Sequence, residues 1–228
     1  AEPRAMPPDS KVERGKLALQ FEGGHLQRVR RGQTELARAA DSPSVLQPTV
    51  HAFEGSTWLP DSLEDEPARV EIDDLSVTEG PVRTRVTRTA TAGLNVFTQH
   101  LDLYDALGEV RVTTDMLLRE EDIFAGIALP VPEGARMAVD IPFGVEARDP
   151  AAVPYGKLSD TEYENIERRI PGWFWGRSWV DVCTPEGGAA LLSEDGDRFY
   201  RLHTSGAHLT HWFLKVPSRA DVNWEARS

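Results

Sequence analysis

Apolar and polar positions alternate with a period of two along most of this chain. Leu17, Leu19 and Phe21 alternate with Lys16, Gln20 and Glu22, and Gly23-Gly24 then turns the chain into His25 to Arg30. That is the pattern of a strand, a tight turn and a second strand. Val70 and Ile72 are set against Arg69, Glu71 and Asp73, and Val82, Thr84 and Val86 against Arg83, Arg85 and Thr87. The longest case is Val110, Val112, Thr114, Met116 and Leu118, opposed by Glu109, Arg111, Thr113, Asp115 and Arg119. One apolar and one solvated face is the mark of an antiparallel sheet lying on a core.

Asp105-Ala106-Leu107-Gly108 separates a strand over 94–104 from one over 109–119. Further apolar runs follow at Ile123 to Val131, Met137 to Val145, Trp179 to Val182, Ala189 to Leu192, Phe199 to His203 and Leu209 to Val216. The pattern predicts about a dozen strands at the spacing of a sandwich. A helical period appears only at Glu162 to Arg168, with Asp160 as N-cap and Pro171 as terminator. Two long stretches read as loops: Ala40 to Glu66, with three prolines and an acidic end, and Asp149 to Gly176, rich in aromatic residues. Loops of that length are commonly functional. The expected fold is all-β and antiparallel, a single β-sandwich over 12–228 behind a Pro-rich linker at 1–11.

The 228 residues, six of them Trp, suffice for a substantial core. The net charge of −12 argues against a general nucleic-acid binder and against docking on anionic lipid. No run approaches the length of a membrane helix. The first residues, Ala1 to Pro8, carry no apolar segment of a signal peptide and no initiator Met, so the chain reads as processed or excised from something longer. A lone Cys183 excludes an internal disulfide framework and a multi-thiolate zinc site. A cytoplasmic setting is expected.

The nucleophile elbow, the phosphate-binding loop and the dinucleotide fingerprint are absent from the sequence. His203, His208 and His211 cluster, but in a β-type run residues three apart face opposite ways, so sheet-edge histidines are expected rather than a metal site. The acidic groups Glu64-Asp65-Glu66, Glu120-Glu121-Asp122 and Glu194-Asp195 all fall at turns. A pair of them about 5–5.5 Å apart would suit a retaining glycosidase, while solvated turn residues are the plainer reading.

Pro171-Gly172-Trp173-Phe174-Trp175-Gly176-Arg177-Ser178-Trp179 is the most informative local feature. Sugars have apolar C–H faces that pack on flat rings, and Arg donates to hydroxyls. Trp173, Trp175 and Arg177 are therefore the carbohydrate-binding candidates, against the alternative that Trp173 and Trp175 cap a core. Trp179 is expected to face the core.

Several of these segments resemble the C-terminal β-domain of glycoside hydrolase family 38 α-mannosidases. Ala138 to Arg148, containing Ile141-Pro142-Phe143-Gly144, is similar to that domain's "E-I-P-F-G-x-x-x-R" stretch. Val77 to Arg83 resembles "E-x-G-P-L-R"; Ser178 to Val182 with Gly188 to Leu192 resembles "W-V-D-L-S" and "G-x-A-L-L-N-D"; and Leu17 to Leu36 resembles the opening strand pair. The order matches from about residue 12 to 217.

The resemblance implies a galactose-mutarotase-like supersandwich, accessory to a separate catalytic domain that holds the zinc, the nucleophile and the acid/base. None of those residues maps onto this chain, so no catalytic residue, metal ligand or cofactor is expected in it. The parent enzyme's catalytic domain and carbohydrate are the implied partners. Two departures stand out. Asp115 to Glu120 replaces the family's "D-W-x-E" strand, and the family continues past the segment matched by Leu209 to Pro217. If the closing strands lie elsewhere, Leu209 to Val216 becomes an open edge that recruits a second chain, and self-association or strands supplied by the parent enzyme is expected. Two other functions fit the residues. One is a self-sufficient carbohydrate-binding module. The other is an aldose mutarotase-like epimerase with His100 or His203 as acid and Glu120 or Glu194 as base.

Overall fold

The computed structural model describes residues 2–39, 43–55, 60–64, 66–150, 172–185, 187–192, 198–202 and 208–216. Among them the chain is all-β, with nineteen strands, no helix and four antiparallel sheets. The first sheet is a meander of β2 (Ser10–Arg14), β3 (Leu17–Glu22), β4 (His25–Arg31) and β5 (Thr34–Arg38). The second runs β1 (Arg4–Ala5), β8 (Val70–Glu79), β9 (Thr84–Ala92), β10 (Asn95–Tyr104) and β11 (Glu109–Leu117). The third draws on distant parts of the chain in the order β15 (Trp173–Gly176), β18 (Arg198–Leu202), β19 (His208–Val216), β12 (Ile123–Pro130), β6 (Gln47–Gly55) and β7 (Pro60–Leu63). The fourth is β14 (Gly144–Arg148), β13 (Arg136–Ile141), β16 (Trp179–Thr184) and β17 (Gly187–Leu192).

Alternation explains the core. Leu17, Leu19, Phe21 and Leu26 of the first sheet meet Val86, Leu101 and Leu103 of the second and Ile127 and Leu129 of β12 in the largest buried cluster. Each side chain of this size stabilises the fold by roughly 1.5–3 kcal/mol on full burial. A second cluster packs Met137, Val139, Val180 and Val182 of the fourth sheet on Phe174, Tyr200 and Leu209 of the third. Arg88 is enclosed completely. Its guanidinium donates to Gln99 Oε1 at 2.7 Å and to the Leu46 carbonyl at 2.6 Å. Gln99 Nε2 donates to the same Leu46 carbonyl at 3.2 Å.

Five expectations change. The stretch 40–66 is not one loop, because it contains β6 and β7. β6 escapes the period-two pattern since Pro48, Thr49, Val50 and His51 are all buried. Its Pro48 lies in the half paired only with β12, since β7 joins at Phe53 to Gly55. A proline without a donor is tolerated at such a position. The run Met137 to Val145 is two strands, broken by a turn at Pro142-Phe143. Among the described residues the strands number nineteen rather than about a dozen.

The remaining two concern the ends. Arg4 and Ala5, read as linker, pair with Val77 and Ser76. Leu209 to Trp212 is no open edge, because it is laddered to β18 on one side and to β12 on the other, while Leu214 to Val216 is laddered to β12 alone among the described residues. That narrows the open-edge ground for self-association to Leu214 to Val216. The helix expected at Glu162 to Arg168 lies outside the described residues. No helix among the described residues is long and apolar enough to cross a membrane.

Candidate carbohydrate-contact surface

The aromatic segment joins the third sheet to the fourth. On β15 the side chains alternate, so Phe174 points opposite to Trp175. Phe174 is buried and stacks on Tyr200, with ring centroids 5.4 Å apart and planes within 15°. The Arg148 guanidinium lies 4.5 Å from the Phe174 ring centroid. Trp175 is half-buried and Arg177 is exposed. The Trp173 backbone pairs with Arg201, and its side chain lies outside the described set.

Gly176 fits where a side chain would not, since a Cβ there would stand 2.8 Å from the Tyr200 ring and 3.0 Å from Val139. The chain then passes close to β13. Arg177 N donates to the Asp140 carbonyl at 2.7 Å, and Ser178 Oγ donates to the Asp140 carboxylate.

Trp179 does not face the core. Val180 and Val182 are buried, so Trp179 and Asp181, both half-buried, take the opposite, outer face of the fourth sheet. Trp179 pairs with Leu192, and Asp140 with Val145. Val139 and Val180 are partners, so register places Val145, Asp140, Trp179 and Leu192 in one outward row. Leu192 is 77% and Val145 60% exposed. The next outward row is Ala147, Ala138, Asp181 and Ala190, a shallow floor of methyl groups beside the indole. The turn between β13 and β14 presents Phe143, which is wholly exposed and has φ 70°. A bulky side chain in the left-handed region is strained, and such strain gathers at functional positions. The chemistry on offer is aromatic and methyl surface beside two carboxylates, a hydroxyl and a guanidinium.

Cys183 shares this face. Burial and the adjoining Asp181 carboxylate push its thiol up, which opposes a thiolate nucleophile.

Of the acid/base candidates, the two described ones, Glu120 and His100, do not converge. Glu120 closes the β9–β10 hairpin. Its Oε2 accepts from Leu94 N at 3.2 Å and from the amide of Asn95, while Asn95 Oδ1 accepts from Arg119 N at 2.9 Å. His100 lies five residues further along β10, about 17 Å away at the rise of an antiparallel strand. Its Nδ1 is 3.0 Å from Thr87 Oγ1, and its Nε2 is 3.7 Å from Asp115. His203 and Glu194 lie outside the described residues.

His211 is buried and stacks on Tyr200 at 4.7 Å, three positions along β19 from His208 and so on the opposite face. Among the described residues no group of three or more His, Cys, Asp or Glu could hold a metal ion.

The solvent face of the second sheet carries an ion cluster. Arg85 grips Asp102 through Nε at 2.7 Å and Nη2 at 2.8 Å, and Arg83 Nη1 adds a third bond at 3.1 Å. These contacts, led by the Arg85 hydrogen bonds, hold the Asp102 carboxyl below the ordinary carboxylate range against the opposing effect of burial.

Sequence reasoning missed Phe143, Asp140 and the outward Trp179. The signal for the first was present: an aromatic residue between Pro142 and Gly144 is held in a turn too tight to bury it. No family model matches the chain, and neither does any curated protein.

Proposed function

We propose that this chain is the accessory, sugar-contacting β-domain of an α-mannosidase-type glycoside hydrolase, built as a galactose-mutarotase-like supersandwich. The observation that carries the reading is the outward row around Trp179, with Phe143 at one end and Asp140 beside it. The family-like segments support it by their positions. Gly23-Gly24 turns β3 into β4, Ile141 to Gly144 makes the exposed turn before β14, and the two later segments are β16 and β17.

Trp179 and Phe143 pack on the C–H face of a pyranose, and Asp140, Asp181 and Arg177 pair with its hydroxyls. The zinc that the resemblance implies belongs to the family's separate catalytic domain, so no step passes through one here. Catalysis belongs to the partner domain, and this surface positions the glycan.

Two measurements test the reading. Incubation with an aryl α-mannoside, with and without added zinc, should give no turnover; activity that survives repurification and tracks the protein overturns it. Calorimetric titration with mannose oligosaccharides should give a dissociation constant near millimolar, about −4 kcal/mol. Trp179→Ala should abolish that binding and Trp175→Ala weaken it. The half-exposed Trp175 also favours a second reading, a carbohydrate-binding module that works alone. Micromolar binding by the isolated chain would select it.

A further inference from the structure

A second surface lies on a different sheet. The outer face of the first sheet carries an open groove of about 500 Å³, lined in part by Asp9, Lys11, Ala18, Gln20, Arg28 and Arg30. Its shape has two causes. Ala18 puts a methyl group between Glu13 and Arg30, its long-chained register partners. Bulges at Gln20/Phe21 and Val29/Arg30 bend the strands on either side.

Its charge is unlike that of the rest of the chain. Residues 10–38 hold seven Lys or Arg against three Asp or Glu, in a chain of net charge −12. Lys11, Gln20, Arg28 and Arg38 form one cross-strand row, with Arg28 directly opposite Arg38. Like charges so placed destabilise a sheet. Glu35 offsets this at Arg28, 2.9 Å away, and Glu13 pairs with Lys11 at the exposed rim.

Arg30 has only an amide partner, Gln33 Oε1 at 3.3 Å, and Arg38 makes no ion pair among the described residues. Two acids share the groove lining and are already engaged by neutral donors: Asp9 accepts from Gly23 N at 2.7 Å and Glu22 from Gln20 Nε2 at 3.3 Å.

We propose that this groove binds a short glycan carrying an oxyanion, either a carboxylate or a sulfate ester. Arg30, in the groove lining, receives the anion, the planar fork of arginine matching its oxygens, and Arg38, the register partner of Arg28 on the adjoining strand outside the lining, adds positive charge at its edge. Gln20, Asp9 and Glu22 pair with hydroxyls. The strongly acidic remainder of the chain repels a long polyanion, which selects a short sugar over a nucleic acid. The inference does not rest on the mannosidase reading, and each can fail without the other.

The test is titration of the full chain, followed by amide chemical shifts, with trigalacturonic acid, neutral maltotriose, sodium sulfate and duplex DNA. Trigalacturonic acid should bind, more weakly as salt rises. Followed at the amides of residues 10–38, Arg30→Gln should weaken it about tenfold and Arg38→Gln several-fold. Both arginines are at the surface, and unchanged spectra elsewhere will show that the variants fold. Equal binding of maltotriose, sulfate binding as tightly as the sugar acid, tighter binding of DNA, no binding at all, or no effect of Arg30→Gln would each overturn the proposal.

Discussion

Arg88 on β9 and Gln99 on β10 are direct register partners, joined by a 2.7 Å hydrogen bond with both side chains fully buried. Each also donates to the carbonyl of Leu46, a residue held at φ 54°. Together they fix the approach to β6. Burial lowers the Arg88 pKa to about 10, so the group stays cationic at neutral pH, with no carboxylate partner among the described residues. Arg88→Ala should cost about 3 kcal/mol or more, because it opens a cavity and strands the Leu46 carbonyl and Gln99. Arg88→Met should cost less, since a fitted apolar chain removes the buried charge. Urea unfolding of the three proteins measures both. Equal losses would show that the charge itself matters.

Asp102 makes stability depend on acid. Its folded pKa lies below its unfolded value of 3.8, so its contribution is complete above that value and is lost as pH falls through the folded pKa. Asp102→Asn should destabilise by about 1–2 kcal/mol at neutral pH and flatten the decline below pH 4. Chemical unfolding across the acid range is the measurement. An unchanged acid limb would mean that other carboxylates set it.

Phe143 trades stability for display. A left-handed backbone costs an ordinary residue about 1–2 kcal/mol, and this ring recovers none of it by burial. Phe143→Gly should therefore stabilise the fold by roughly 0.5–1 kcal/mol after the entropy of glycine is counted. The same change should weaken mannose-oligosaccharide binding. A fall in the unfolding midpoint would show that the ring packs on something.

Gly126 stands where β12 bulges against β19. A Cβ there would collide with the carbonyl oxygen of His211 and come within 3.0 Å of the Trp212 Cα, both on the backbone. Gly126→Ala should cost about 3 kcal/mol. Gly144→Ala is the control: its Cβ meets nothing within 4 Å, and the change should stay within about 0.5 kcal/mol. Thermal unfolding of the pair settles the comparison.

The half-buried strands were legible in the sequence. β3, β4, β10 and β11 each have one face in water, so polarity marks every second residue and glycines mark the turns. β6 was hidden because consecutive residues are buried and a proline interrupts it. Trp179 was assigned to the wrong face for another reason. Trp179, Val180 and Val182 are all apolar, so both phases of the strand offer a hydrophobic set, and a one-residue slip exchanges them. Val180 and Val182 fill the space against Met137 and Val139, which leaves the indole half-buried on the opposite face. In the run Leu209 to Val216, the first half, Leu209 to Trp212, is interior with neighbours on both sides, and apolar content alone does not separate that from an exposed edge.

The wiring of the third sheet sets an order of events during synthesis. β12 lies between β6, which precedes it, and β19, made long after it. The first two sheets use only residues up to Leu117 and can form while the rest of the chain is still within the ribosome. The third cannot, and until β19 emerges the apolar strand β12 has one unpaired side. Contacts so far apart in sequence form slowly, and an unpaired apolar strand invites aggregation in the interval. A truncation before His208 would make that interval permanent.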